Sequence, residues 1–352
     1  MLLVALTATG YLVYRHMSNN IAQVNLAAYI GKQPANLHPQ AENILVIGSS
    51  SGAAGAAGVS NQSGTLMLVH IAANRQWAEI MSIPAYSWAS IPSCANGDGK
   101  LSAPAEARLD QAYATGNQDG NHVARGAACL IKAIEHDTGI YIDHFIVMNV
   151  NAFEGMAAAL GGVEERNTTA IDDPSAGLVL SPGRHLLTPA EALAFVHGVF
   201  GPGSSSDRAR ISLQEAIAVD LIIRARSELF DPLASYRFLD AFTRSLTVDS
   251  QLGGITGLYQ LAQSLHGIPA GMITLFALPS HPRADVVPSD TTDVLWTQPV
   301  DSDIFASFRN DVQASRALLA TTGRPGKFGI LLPSASADLP ECTADQSSIC
   351  VD

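Results

Sequence analysis

The sequence predicts an α/β (α+β) fold, with a central mixed sheet flanked by helices and one membrane helix before it. Short apolar runs rich in β-branched residues alternate with segments of helical periodicity. They alternate without a strict βαβ repeat, which favours a central sheet of mixed strands over a regular parallel one. Hydrophobic residues make up 47% of the 352 residues and charged residues 15%. A chain of this composition can bury a large core.

The N-terminal segment is almost wholly apolar over residues 1–14, and Arg15 and His16 close it. As a helix it would be about 21 Å long, whereas a bilayer core is about 30 Å thick. A cleaved signal peptide and a buried core helix are two interpretations; the former lacks a clear basic start and cleavage site. We favour a membrane anchor over residues 1–17, because Tyr11 marks a membrane edge. Its short length is explained if the apolar run thins out towards its end, or if the helix starts before Met1. The domain would then lie on the extracytoplasmic side of the cell membrane.

A polar, helix-compatible stalk is predicted at residues 18–40, followed by the domain at residues 41–313. Predicted strands share short apolar runs and occupy residues 43–47, 66–71, 77–83, 143–150 and 272–278. Predicted helices share a 3.6-residue apolar period and occupy residues 121–138, 151–160, 189–199, 211–228 and 257–265. Residues 296–309 predict a final strand, turn and helix.

Two local patterns predict helix ends. Thr188 before Pro189 is typical of an N-cap followed by proline at the first helical position. Gly161 and Gly162 behind Leu160 indicate a helix C-cap and turn.

The chain has four cysteines, which permit three pairings. Outside the cytoplasm such cysteines are usually oxidised, and no C-x-x-C spacing indicates zinc. We predict the disulfides Cys94–Cys129 and Cys342–Cys350. The second pair lies in a tail at residues 314–352 that is rich in Ser, Ala, Thr and Pro, and we expect this tail to be disordered.

The net charge argues against a nucleic-acid partner. The chain carries 20 basic and 32 acidic residues, a formal charge of −12. Its basic clusters are no longer than a pair such as Arg208 with Arg210, which is far smaller than a nucleic-acid footprint.

Residues 48–52, Gly-Ser-Ser-Ser-Gly, form a G-x-S-x-G pattern after a predicted strand. In a serine hydrolase, Ser50 would occupy the nucleophile elbow. Only the anchor and stalk precede this motif, and glycines and alanines follow it, so we interpret it as a mobile loop. Its glycines can cradle a phosphate, but no lysine follows at the P-loop spacing, which excludes nucleotide hydrolysis.

The order of several segments resembles the LytR-CpsA-Psr (LCP) family over residues 10–311. The matching segments are residues 43–48, 65–69, 82–84, 112–116, 142–145, 160–163 and 182–196. Within the last of these, Pro182-Gly183 followed by residues 187–196 is the most specific piece. Cys94 and Cys129 fall where actinobacterial members carry a cysteine pair, which supports that disulfide.

This resemblance implies a function. Members of the family are membrane-anchored phosphotransferases that move glycopolymers from a polyprenyl pyrophosphate carrier onto peptidoglycan. An apolar tunnel binds the lipid, and an arginine-lined mouth with a divalent metal holds the pyrophosphate. Arginine forks and a metal suit this task because charge builds up on the leaving oxygen.

The sequence departs from the family where that chemistry is located. Positions that carry arginine or aspartate in the family are occupied here by Ser50, Gly52, Gln62, Gly64, Ala85, Tyr86, His197, Val199 and Leu213. The residues that survive at family positions are Arg108, Asp207, Arg210 and Gln214, and the replacement residue His197 is a further phosphate-binding candidate. A charge-assisted hydrogen bond contributes about 1.5–3 kcal/mol, so losing about five of them would cost roughly 7–15 kcal/mol if they simply added. Neighbouring contacts do not add simply, but even half of that cost would slow the reaction by a factor of several hundred or more.

We therefore predict a catalytically impaired relative of these phosphotransferases. It would bind a polyprenyl (pyro)phosphate or another apolar ligand, or act as a scaffold for peptidoglycan or other envelope proteins. One alternative is an active phosphotransferase that uses the surviving residues with Mg2+, the cofactor expected only in that case. A serine hydrolase at Ser50 is the other alternative.

Overall fold

The structure, a computed structural model, describes residues 2–49, 63–96, 98, 100–118, 120–149, 153–167, 170–173, 178–193, 232–315, 318 and 326–327. The predicted helix at residues 211–228, the Cys342–Cys350 pair and nearly all of the predicted tail lie outside these residues.

The described strands and helices are as follows. The strands are β1 (Ala22–Val24), β2 (Glu42–Ser49), β3 (Ser63–Ile71), β4 (Ala78–Ile83), β5 (Trp88–Ile91), β6 (Ala105–Arg108), β7 (His144–Asn149), β8 (Val163–Asn167), β9 (Ile171–Asp173), β10 (Leu178–Leu180), β11 (Gly183–Leu187), β12 (Leu246–Asp249), β13 (Ile273–Ala277), β14 (Ser280–Pro282), β15 (Val294–Trp296) and β16 (Gly326–Lys327). The helices are α1 (Leu2–Asn20), α2 (Ala27–Ile30), α3 (Leu109–Gly116), α4 (Val123–Thr138), α5 (Phe153–Ala159), α6 (Pro232–Ser245), α7 (Gly254–His266) and α8 (Val300–Arg309). Residues 189–193 are also helical.

The central sheet has the strand order β1-β12-β7-β2-β3-β4-β13-β16. Its pairing is mixed: β2 runs parallel to β7 and antiparallel to β3, and β4 runs parallel to β13. The predicted mixed sheet is thus confirmed. Each strand and helix predicted within the described residues is present, with ends displaced by a few residues.

Two faces of the sheet bury apolar side chains. On one face, Leu45 and Phe145 are buried in a cluster with Leu130 of α4 and Phe308 of α8. On the other face, Ile44 and Ile273 belong to a second cluster, against which Leu261 of α7 packs. Helices on both faces therefore hold the central strands, as expected for an α/β sheet.

The segment before the predicted domain contributes to the sheet and the packing. α1 continues to Asn20, beyond the predicted end of the anchor at residue 17. Within the predicted stalk at residues 18–40, β1 pairs in parallel with β12, and α2 packs against α4. Among the residues that the structure describes, no helix combines the length and apolar character that a membrane crossing requires.

The far end of the described chain also reaches the sheet. β16, within the segment predicted to be a disordered tail, pairs antiparallel with β13. Such pairing needs only main-chain groups, so a composition poor in apolar residues does not prevent it.

The predicted disulfide Cys94–Cys129 is confirmed. Its sulfur atoms lie 2.10 Å apart and its Cα atoms 5.4 Å apart. The bridge joins the loop after β5 to α4, and both cysteines are buried within the main core.

Both predicted helix ends are confirmed as well. The hydroxyl of Thr188 accepts a hydrogen bond from the amide of Glu191 at 3.3 Å, and the Glu191 carboxylate accepts one from the Thr188 amide at 2.9 Å. This reciprocal pair is a capping box. After α5, Gly161 and Gly162 adopt positive φ, and the Gly162 amide returns to the Ala157 carbonyl at 2.9 Å.

Candidate functional site

One edge of the central sheet gathers most of the described positions at which the family resemblance implies phosphate-binding residues. β2 and β7 run parallel and end together, with Ser49 opposite Asn149. β3 begins at this edge, where Ser63 pairs with Ser49, and β4 ends there at Ile83. At this edge Gly64, Ala85 and Tyr86 offer no formal charge at neutral pH, in accordance with the substitutions read from the sequence.

Arg108 lies beside this edge. It is the last residue of β6 and precedes α3 in an extended conformation. The amide of Leu109 donates to the Ser87 carbonyl at 2.8 Å, and the amide of Asp110 donates to the Ala85 carbonyl at 2.9 Å. These bonds fix the start of α3 against the segment that leaves β4.

The guanidinium of Arg108 is already engaged. Its Nε lies 3.0 Å from Oδ1 of Asp110, and its Nη2 contacts Oδ2 of the same carboxylate. Its Cζ lies 4.3 Å from the centroid of the Tyr86 ring. The side chain of Arg108 is 20% exposed and that of Asp110 only 2%. A carboxylate thus occupies one edge of the fork and an aromatic ring covers one face.

Burial and pairing act in opposite directions on these two groups. Burial raises the pKa of the Asp110 carboxyl, although the hydrogen bond and charge of Arg108 oppose it. For Arg108, burial is the largest single effect and disfavours the charged form, but the hydrogen bond that Arg108 donates to Asp110 and the negative charge of Asp110 and its neighbours together outweigh it and raise the pKa of the guanidinium. The arginine therefore stays cationic and its charge is balanced within the protein.

A second arginine near this edge is engaged in the same way. Cζ of Arg283 lies 3.7 Å from the ring centroid of Trp88, and its guanidinium pairs with Asp290. Trp88 is the cross-strand partner of Arg108 in the β5–β6 ladder. Of the arginines that the structure describes near this edge, both therefore have part of the guanidinium engaged by a carboxylate.

Buried polar contacts reinforce this region. The indole Nε1 of Trp296 donates to Oγ of Ser87 at 2.8 Å. Asp293 is buried nearby, and burial raises the pKa of its carboxyl. The sequence did not predict Ser87, Asp293 or Trp296 as residues of this region. For Asp110, the partner of Arg108, the one available signal was an acidic residue two positions after the arginine.

One face of the central strands exposes apolar side chains in part. Val46 lies opposite Met67 on β3 and Ile146 on β7, and Val69 lies opposite Ile80 on β4. All five side chains are only partly buried, although they sit on central strands. Three of them, Val69, Ile80 and Ile146, also pack against the cluster of Ile44 and Ile273, so this face is covered only in part.

Acidic side chains in the same region are the residues that could hold a divalent metal. Among the described ranges, no group of three or more His, Cys, Asp or Glu side chains is arranged to hold a metal ion. Asp110 is committed to Arg108, and Asp290 to Arg283. By themselves, the described residues therefore do not fit Mg2+.

The other predicted site residues lie outside the described residues. These are His197, Asp207, Arg210, Gln214 and the serine-hydrolase candidate Ser50. Of the G-x-S-x-G motif, only Gly48 and Ser49 are described; they close β2, and Ser49 is buried.

Comparison with known proteins adds to this geometry. The model of the LytR_cpsA_psr family matches residues 11–311. The cell wall biosynthesis protein LcpA of Corynebacterium glutamicum is 24% identical over 306 residues, which cover 79% of this chain and 58% of that protein. The polyisoprenyl-teichoic acid–peptidoglycan teichoic acid transferase TagU of Halalkalibacterium halodurans is 27% identical over 197 residues, covering 56% of this chain and 58% of that protein. The chain thus matches less than two thirds of the length of either relative.

A solved structure has the same fold. The LytR-Csp2A-Psr enzyme from Actinomyces oris superposes with a TM-score of 0.56 at 21% identity. The superposition covers 82% of this chain and 95% of that structure. At this identity the likeness establishes the fold.

Proposed function

The chain belongs to the LytR_cpsA_psr family, and we propose that it is a catalytically impaired relative of the phosphotransferases that attach glycopolymers to peptidoglycan. In this proposal it is held in the cell membrane by its N-terminal helix, with its domain on the extracytoplasmic side. It keeps a lipid-binding or scaffold role. The lipid class is a polyprenyl (pyro)phosphate or a lipid-linked glycopolymer; the relative TagU is by name a transferase that acts on polyisoprenyl-linked teichoic acid.

The single observation that supports the proposed impairment is the ion pair of Arg108 with Asp110, which occupies the guanidinium. Pyrophosphate recognition relies on arginine forks that can turn both N–H edges toward phosphate oxygens. Here Asp110 holds the fork of Arg108. A phosphate that displaced it would leave a buried carboxylate unpaired, which costs roughly 3–5 kcal/mol.

The retained lipid role is supported by the apolar face of the central sheet. Val46, Met67, Val69, Ile80 and Ile146 form a partly exposed surface on strands whose opposite face is fully packed. A prenyl chain gains roughly 25 cal/mol for each Å² of apolar surface that it buries. We therefore infer that the apolar surface is kept, although most of the arginine and aspartate positions of the family are replaced.

The membrane attachment is supported by α1. Residues 2–14 contain no charged side chain, and Tyr11 and Leu12 are exposed to solvent. The disulfide Cys94–Cys129 agrees with a domain outside the cytoplasm, because disulfides persist in oxidising compartments.

The test of the proposal uses the full chain purified in detergent. We expect no Mg2+-dependent hydrolysis of a prenyl pyrophosphate above the protein-free control, and a co-purified prenyl lipid in the mass spectrum. Robust turnover that is lost in Arg210→Ala would overturn the impairment and support the active phosphotransferase. An apolar face without lipid in the purified protein, together with no binding of added prenyl phosphate, would overturn the lipid role.

A further inference from the structure

Exposed apolar side chains concentrate on α1, α6 and α7. Among the described residues, fourteen large apolar side chains are exposed, and seven of them lie on these three helices: Tyr11, Leu12, Tyr14, Leu233, Tyr236, Leu239 and Tyr259. We call these seven residues the tyrosine surface. It contains every exposed tyrosine of the chain, since the other four of the eight tyrosines are buried or partly buried.

Direct contacts place α1 beside the other two helices. The hydroxyl of Tyr14 lies 3.1 Å from Oγ1 of Thr256 on α7. Nε2 of His16 lies 2.8 Å from Oδ1 of Asp240 on α6, and its ring stacks on Tyr236 with 6.3 Å between centroids. The tyrosines of α6 and α7 therefore surround the point at which α1 joins the domain.

The same helices differ from the rest of the chain in charge. α1, α6 and α7 carry three arginines, Arg15, Arg237 and Arg244, and one acidic residue, Asp240. The whole chain has 20 basic and 32 acidic residues. A surface that combines tyrosines, leucines and excess arginine is thus embedded in an acidic protein.

We propose that the tyrosine surface is a contact site for an anionic lipid bilayer. The domain then contacts the membrane through α6 and α7 and is not attached to it through α1 alone. This inference depends on the membrane attachment proposed above.

The residue types on this surface suit a bilayer interface. Tyrosine is enriched at membrane–water interfaces, where its ring meets acyl chains and its hydroxyl stays hydrated. Arginine pairs with headgroup phosphates and is attracted to anionic leaflets. A second copy of the chain fits less well, because a symmetric contact would bring the excess arginines of both copies together.

The test uses the full chain bound to phosphatidylcholine vesicles that carry brominated acyl chains, with and without phosphatidylglycerol. Tyr259→Trp places a reporter on the tyrosine surface. Val286→Trp is the matched control, because Val286 is also exposed but lies outside the three helices. We expect bromine to quench the reporter at position 259 at least roughly twofold more than the control. Arg237→Gln should reduce this quenching only when phosphatidylglycerol is present.

Each other outcome overturns a defined part of the proposal. If the protein floats with vesicles but the reporter at position 259 is quenched no more than the control, the tyrosine surface does not contact lipid. The membrane anchor is still supported by this result. If the protein does not float with either vesicle, both the anchor and the surface are refuted. Equal quenching with and without phosphatidylglycerol, unchanged by Arg237→Gln, overturns the preference for anionic lipid.

Discussion

Nε2 of His70 and Oδ1 of Asp311 lie 3.0 Å apart, although 241 residues separate them in the chain. The His70 ring is fully buried, and its Nδ1 lies 2.7 Å from Oδ1 of Asn43. Nδ2 of Asn43 donates to the Tyr141 carbonyl at 2.9 Å, which fixes the orientation of the amide. Asp311 also accepts a hydrogen bond from the amide of Ala73 at 3.3 Å. The residue that follows α8 by two positions is thereby tied to the end of β3.

The first prediction concerns this tie. Asp311→Ala should lower the free energy of unfolding by about 1.5–3 kcal/mol, because it removes a charged acceptor from a buried ring and a backbone amide. Asp303→Ala, an exposed position on α8, is the matched control and should change stability by less than about 0.5 kcal/mol. Urea denaturation followed by circular dichroism measures both. Equal stability of the two variants would contradict a structural role for the His70–Asp311 contact.

The second prediction concerns Asp301 in the first turn of α8. Its side chain is fully buried, and neither carboxylate oxygen has a hydrogen-bond partner among the described residues. Burial raises its pKa to about 7, whereas an unfolded aspartate titrates near its ordinary value of about 3.9. The folded state therefore holds a proton that the unfolded state releases as the pH rises between these two values.

The sign of the pH dependence follows from that proton. Stability contributed by protonated Asp301 is present at low pH and falls by about 1.4 kcal/mol per pH unit as the pH rises toward 7. Asp301→Asn removes the titrating group, so its unfolding free energy should fall less steeply over this pH range than that of the wild type. Denaturation at several pH values measures the slope, and Asp303→Asn should keep the wild-type slope. A wild-type slope in Asp301→Asn would show that the carboxyl titrates normally.

The sequence predicted most of the long elements because they bury a regular apolar pattern, but it missed the 14-residue helix α6. β2 and α4, for example, follow their runs within a few residues. It missed β1, β12 and the small two-stranded sheets such as β5–β6. These strands are three to five residues long, so their apolar period is too short to distinguish from a loop, and main-chain partners far along the chain define them.

The sequence predicted which charged residues the candidate site lacks. It did not predict which of the remaining residues pair with each other. Gly64, Ala85 and Tyr86 are visible in the sequence as uncharged residues at charged family positions. The pairing of Arg108 with Asp110 across the turn into α3, and the cover provided by Tyr86, depend on how β5 and β6 fold together. Charge compensation between neighbouring segments is a tertiary property, which a residue count along the chain does not contain.

The third prediction tests the apolar face of the central sheet. Val46→Phe would fill the space beside Met67 and Ile146 that we assign to an apolar ligand. We expect the amount of co-purified prenyl lipid per protein molecule to fall several-fold, since overpacking excludes the chain from its site. Val286→Phe, at an exposed position outside the sheet, should leave it unchanged. Unaltered lipid in a folded Val46→Phe protein would place the lipid elsewhere.

The fourth prediction tests the ion pair of Arg108 with Asp110. Asp110→Asn keeps the shape of the side chain and removes its charge, so the fork of Arg108 loses its strongest internal partner. We expect the dissociation constant for inorganic pyrophosphate to fall at least about tenfold, which corresponds to about 1.4 kcal/mol. Isothermal titration calorimetry of the full chain in detergent, with and without Mg2+, measures this change.

The double variant Asp110→Asn/Arg108→Gln separates the freed arginine from a general loss of negative charge. It should bind pyrophosphate no better than the wild type, because the gain in Asp110→Asn depends on the guanidinium of Arg108. If the double variant keeps the gain, the added affinity comes from the lower negative charge of the region. If wild-type protein already binds pyrophosphate as tightly as Asp110→Asn, the Asp110 carboxylate does not obstruct the site. The impairment would then have to come from the charged family positions that this chain has replaced.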